Sequence, residues 1–121
     1  MMFKNEVFTS VKAVLVSEEE NNISEIDLDI SSEKREIFKI LKGPATIIGQ
    51  CYDTNVVAMK CRHEESFFEL MKNRNTLPKP FHEETDIVGP ILLVRMNEHA
   101  LPEDFTVSEY TVMKNLLKII V

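Results

Sequence analysis

The run Ile91-Leu92-Leu93-Val94-Arg95-Met96 decides the fold. Four apolar residues in succession leave no face free for solvent, so a strand through them must be covered on both sides, and that places it in the middle of a sheet. Gly89-Pro90 ahead of it and Pro102 behind it are turn signals that bound the run. A central strand needs neighbours, and the N-terminal half of the chain supplies them.

VKAVLV at 11–16 is β-branched and short, as a strand with at least one buried face would be. The polar stretch 17–22, with Glu18, Glu19 and Glu20 in succession, suits the solvated tip of a hairpin. The return is Ile26, Asp27, Leu28, Asp29, Ile30, a strict alternation that puts three apolar side chains on one face and two carboxylates in water. A second hairpin is predicted from the β-like runs 45–50 and 56–61, separated by Asp53, Thr54 and Asn55.

Two helices are predicted. The first is capped by Ser31 or Ser32 and runs through Lys42, with Glu33 in its first turn, Lys39 and Lys42 in its last, and Gly43-Pro44 as its stop. Ile37, Phe38, Ile40 and Leu41 form its inner stripe. The second starts at a T-x-x-E capping box, Thr106 with Glu109, and turns Tyr110, Met113, Leu116, Leu117 and Ile120 inward. Glu64 to Lys72 reads either as one or two helical turns or as an irregular packed segment, and residues 1–9 as an arm on the domain. Pro78 and Pro80 exclude regular helix around LPKPF, and a loop continues through HEETD to Gly89-Pro90. The expected architecture is a single α+β domain over residues 1–121, a mainly antiparallel sheet of about five strands built from hairpins with two principal helices packed on it. Strand order does not follow from these patterns.

Composition bounds the function. With 121 residues, 44% hydrophobic and 28% charged, the chain can bury one core and folds as one domain. A formal net charge of -6 repels a phosphate backbone, so no nucleic-acid partner is expected. No apolar run approaches the ~20 residues of a membrane span, and MMFKNEVFTS lacks the apolar core of a secretory signal, so an intracellular location and no membrane partner are expected. Two cysteines, Cys51 and Cys61, make no secreted disulfide framework; across a hairpin they could lie close together.

Known chemistries find little purchase. His82-Glu83-Glu84-Thr85-Asp86 begins like a zinc-peptidase motif but has Asp86 where the second histidine is needed. Cys51, Cys61, His63 and His82 lack the paired spacing of a structural zinc site; small buried thiols are the simpler reading, and no metal or cofactor is expected. Gly43, Gly49 and Gly89 are the only glycines, too few for a phosphate loop or a dinucleotide fingerprint, and no G-x-S-x-G occurs. One polar cluster stands out at the end of the central strand: Arg95, Asn97, Glu98, His99 and Asp104, with Glu103 beside them. Its functional reading is a binding or acid/base site, and its plainer one a solvated loop with an incidental ion pair.

The segments LPKPF and DIVGPILLVRMNEHALPEDFTVSEY carry a recognisable pattern through Gly89, Pro90, Arg95, Met96, Asn97, Pro102, Asp104, Phe105, Thr106, Glu109 and Tyr110. On these residues the chain resembles a small domain of unknown function found in nucleocytoplasmic large DNA viruses and in some algae and protists. GPATIIGQ and VVAMKC extend the likeness over roughly residues 45–110. The resemblance implies an origin and a fold and supplies no catalytic residue; if the source is viral, the location would be host cytoplasm or virion.

Missing catalytic signatures in a well-patterned small domain favour a non-enzymatic protein-interaction module with a protein partner, acting through an exposed sheet edge or the loop from Phe81 to Val88. The competing expectation is a small enzyme or ligand-binding domain using Arg95, His99 and the neighbouring carboxylates. Homo-oligomerisation through the C-terminal LLKIIV is a third.

Overall fold

The computed structural model describes residues 10–31, 35–62 and 69–120, the last five by their backbone alone. Its elements in chain order are β1 (Ser10–Val16), β2 (Ile23–Asp29), α1 (Glu36–Leu41), β3 (Ala45–Cys51), β4 (Val56–Cys61), β5 (Ile91–Met96), β6 (Pro102–Glu103) and α2 (Val107–Ile120). The strands form one antiparallel sheet in the order β2-β1-β5-β4-β3, with β6 pairing the far end of β5. The fold is thus the α+β domain that the patterning predicts, and β5 is central.

The burial of β5 explains its position. Ile91, Leu92 and Leu93 are fully buried and Val94 nearly so, each contributing about 1.5–3 kcal/mol of transfer free energy. Alternation sends Ile91 and Leu93 to one face and Leu92 and Val94 to the other. The first face joins Val14 and Val16 of β1, Val56 and Ala58 of β4, and Leu77, Phe81, Phe105 and Tyr110. On the second, Ala13, Leu28, Leu41 and Cys61 pack with Ile37 and Ile40 of α1. The two helices therefore sit on opposite faces, α2 through Val107, Tyr110 and Met113, and α1 through its apolar stripe.

Beyond Val14 the edge of β1 leaves β5 and meets the chain after β6. The Phe105 amide donates to the Lys12 carbonyl at 2.9 Å, and the Lys12 amide donates to Asp104 Oδ1 at 2.8 Å. The sixth strand, within what reads in sequence as the Pro102 loop, turns the chain back for this contact.

Other expectations are corrected. α1 begins at Glu36, not after Ser31 or Ser32, because Arg35 at φ 51 adopts left-handed backbone and no helix passes through it; residues 32–34 lie outside the described residues. Glu36 instead turns back, its Oε1 accepting the Asp29 amide at 2.9 Å. Phe38 is half-buried beneath the Arg35 guanidinium, 4.3 Å from the ring centroid, and is not part of the inner stripe. Lys42 at φ 67 ends the helix, and the Gly43 amide closes it onto the Phe38 carbonyl at 3.0 Å.

Of the stretch read as possible helical turns, residues 69–72 are non-helical, Lys72 forming an isolated bridge to Val88; residues 63–68 lie outside the described residues, as do residues 1–9. Cys51 pairs with Val56 beside the β3–β4 turn and Cys61 with Ala45 at the hairpin's open end, so the hairpin holds the two thiols apart.

Candidate functional site

The structure does not join the cluster predicted at the end of β5 into one site. Arg95 turns toward the head of α2. Its Nε donates to the Thr54 carbonyl at 3.0 Å, one terminal nitrogen to the Asp104 carbonyl at 2.8 Å, and both terminal nitrogens to the Glu109 carboxylate. Its guanidinium lies 5.4 Å from the Phe105 ring centroid, within cation–π range.

Asn97, Glu98 and His99 belong to a separate tight turn. Asn97 Oδ1 accepts the amides of His99 and Leu101 at 2.8 and 3.0 Å, and its Nδ2 donates to Glu103. The ring of His99 is solvent-exposed, with Glu98 3.9 Å away. Asp104 anchors β1. Arg95 and His99 share no hydrogen-bond partner among the described residues, so geometry assigns these residues to three different local tasks.

A more enclosed arrangement lies where the β1–β2 turn, residues 71–76 and the loop 82–87 meet. Asn73, 6% exposed, is the buried polar residue at its base. Its Nδ2 donates to the carbonyls of Val16 and Gly89, and its Oδ1 accepts the amide and Nδ2 of Asn75. Asn75 Nδ2 reaches the carbonyls of Ser17 and Glu19 at 2.8 and 2.9 Å, while its Oδ1 accepts the Asn21 amide. Two alternating asparagines thus tie three segments together, satisfying main-chain groups that irregular loops otherwise leave unpaired. Glu18 adds to the join by accepting the Met71 amide at 3.0 Å.

Two concavities open on this base. One, of about 480 Å³, is lined by Lys72, Arg74, His82, Glu84 and Asp86 among others. The other, of about 590 Å³, is lined by Glu18, Glu19, Glu20 and the same Lys72 and Arg74. Lys72 pairs with Asp86 at 3.3 Å. His82 Nδ1 is shielded from solvent and has no hydrogen-bond partner among the described residues. The walls carry five carboxylates and two permanent cations, an acidic excess in keeping with the chain's net charge of -6.

A model for a family of unknown function, DUF5880, matches residues 14–113. The chain belongs to that family. No curated protein matches it, and no solved structure does. The DUF5880 match reaches from within β1 into α2 and so takes in the groove, the β3–β4 hairpin and the Arg95–Glu109 contact. Among the described residues no group of three or more His, Cys, Asp or Glu is placed to hold a metal ion, and no helix is long and apolar enough to cross a membrane.

Sequence reasoning singled out the loop from Phe81 to Val88 but missed Asn73 and Asn75, which fasten the neighbouring segments: Asn73 at Val16 and Gly89, Asn75 at the β1–β2 turn. Their signal is the i, i+2 spacing, which puts two amides on one side of an extended segment. Glu25 was missed as well. Its Oε1 accepts the Val107 amide at 3.0 Å, adding a carboxylate from β2 to the head of α2.

Proposed function

We propose that this member of DUF5880 is a non-enzymatic protein-interaction module, an accessory or virion protein of a large DNA virus, whose groove takes a basic segment of a partner protein. The adjoining pair of concavities around Lys72 and Arg74 carries this reading, with its five carboxylates to two cations. An extended segment bearing lysine or arginine side chains meets its complementary charge in the second cavity, where Glu18, Glu19 and Glu20 outnumber the two cations that Glu84 and Asp86 balance in the first. The asparagine fasteners support it, because a loop held in place before binding loses less conformational entropy on binding. The viral assignment rests on the resemblance carried by Gly89, Pro90 and the residues from Arg95 to Tyr110.

The test is fluorescence anisotropy with labelled lysine- and arginine-rich peptides, acidic peptides of equal length serving as the control. Basic peptides are expected to bind, with affinity falling as salt rises. Glu19→Lys with Glu20→Lys, both on the exposed turn, should abolish binding while leaving the fold intact by circular dichroism. Equal binding of acidic and basic peptides, or indifference to the charge reversal, would sink the reading.

A further inference from the structure

Charge is ordered across the groove. Glu18, Glu19 and Glu20 line only the larger cavity, Glu84 and Asp86 only the smaller, while Lys72 and Arg74 line both. The two cations therefore stand on the divide, with carboxylates to either side. Lys72 is already engaged, its ammonium 3.3 Å from Asp86. Arg74 is not. Its side chain has no hydrogen-bond or ion-pair partner among the described residues, although five carboxylates line the cavities it borders. Glu84, on the wall of the smaller cavity, has no side-chain partner among them either. The backbone beneath Arg74 is fixed, because its amide donates to the Glu18 carbonyl at 2.9 Å and the fasteners Asn73 and Asn75 flank it in the chain.

We propose that the groove selects its partner segment by charge order, an acidic side chain meeting Arg74 between two basic ones, the first at Glu18, Glu19 and Glu20 and the second at Glu84. Selection of this kind rests on the groove taking a basic segment, and it adds an acidic residue at that segment's middle. The walls run negative, positive, negative, so their complement runs positive, negative, positive. A purely basic segment sets a like charge against Arg74, and like charges brought together repel. Alternate side chains of an extended segment share one face, which makes the fitting pattern basic-x-acidic-x-basic. In the larger cavity the stem of the first basic side chain also has Met71 to lie on, 65% exposed on that wall.

The test is fluorescence anisotropy on the full chain at low salt with three labelled peptides blocked at both ends: Lys-Ser-Glu-Ser-Lys, its order isomer Glu-Ser-Lys-Ser-Lys, and Lys-Ser-Lys-Ser-Lys. The first two share composition and net charge, so long-range attraction to the acidic chain is the same for both and only charge order separates them. The alternating peptide is expected to bind about fivefold more tightly than its isomer, an advantage that shrinks as salt rises. Arg74→Glu, at an exposed position, should erase that advantage and tighten Lys-Ser-Lys-Ser-Lys by about fivefold or more. Lys39→Glu, an equal change of charge on exposed surface of α1, should leave the preference for order intact. Equal binding of the two isomers, both above acidic peptides, overturns the charge order and leaves the basic-segment reading standing. A preference that survives Arg74→Glu, or that Lys39→Glu also removes, overturns it too. Failure of all three peptides to bind overturns both readings. The isomer comparison on the wild-type chain decides the matter even if Arg74→Glu unfolds.

Discussion

Arg95 holds both carboxylate oxygens of Glu109, at 3.3 and 2.5 Å. Glu109 at the same time accepts the Thr106 amide at 3.3 Å, while Thr106 Oγ1 accepts the Glu109 amide at 3.2 Å. The central strand therefore fastens the capping box of α2, which fixes where the helix begins on the sheet.

Glu109 makes this joint sensitive to acid. The Arg95 hydrogen bond, helped by the Thr106 amide, holds its carboxyl below the ordinary value of 4.5. Since the folded state binds the proton less readily than the unfolded chain, the contribution is fully present above about pH 4.5 and is lost as pH falls through the lower folded value. Glu109→Ala is expected to destabilise by about 1 kcal/mol through loss of the cap. The stability difference between wild type and Glu109→Gln should stay constant near neutrality and shrink in acid, as read from urea midpoints across pH.

Tyr110 is 2% exposed, and its hydroxyl has no hydrogen-bond partner among the described residues. Tyr110→Phe should thus be neutral or stabilising by up to about 1 kcal/mol, since it removes a buried polar group that gains nothing. Tyr110→Ala should cost about 3–5 kcal/mol by opening a cavity among Leu77, Phe81 and Phe105. Burial pushes the phenol up to about 12 from 10.0. Its contribution is present below pH 10.0 and is lost as pH rises toward about 12. Alkaline denaturation curves should show that loss in wild type and not in Tyr110→Phe.

Removal of the Asn73 side chain leaves the Val16 and Gly89 carbonyls without their side-chain amide donor and the Asn75 main-chain amide without its acceptor. Asn73→Ala is expected to cost about 2–3 kcal/mol. Hydrogen exchange should accelerate in residues 73–89 before the sheet is affected.

At Gly49 an added Cβ would lie 2.7 Å from Phe81 Cδ1. The Phe81 ring is 1% exposed and has little room to retreat. Gly49→Ala should cost about 1–3 kcal/mol. Combining it with Phe81→Leu should recover part of that loss, and a double-mutant cycle of unfolding free energies measures the coupling.

The parts of the fold legible in sequence are those governed by side-chain alternation and local capping. Ile91 to Val94 declared a doubly covered strand, Ile26 to Ile30 a one-sided strand, and Thr106 with Glu109 a capping box. Strand order depends on pairings across long stretches of chain, such as Leu15 with Leu92 and Met59 with Leu92, and no local pattern encodes them. The start of α1 was misplaced because Ser31 and Ser32 are good caps in isolation, whereas Arg35 takes a left-handed conformation that few non-glycine residues adopt. The groove stayed hidden for a related reason. Asn73 looks like any surface asparagine until the loops close over it.

The neck of the loop between Asn73 and Ile87 has a further consequence. The Asn73 amide donates to the Ile87 carbonyl and the Gly89 amide to the Met71 carbonyl, at 2.8 and 2.7 Å. A protease that cuts within the exposed residues 83–86 releases neither end, because both are sewn down on the inner side of the cut. One fragment then carries β1 to β4 and the other β5, β6 and α2, with β5 lying between β1 and β4. Each piece supplies the neighbour that the other lacks, so the nicked protein stays assembled until denaturant parts it. Glu84 is accordingly the place to divide this chain into complementary halves.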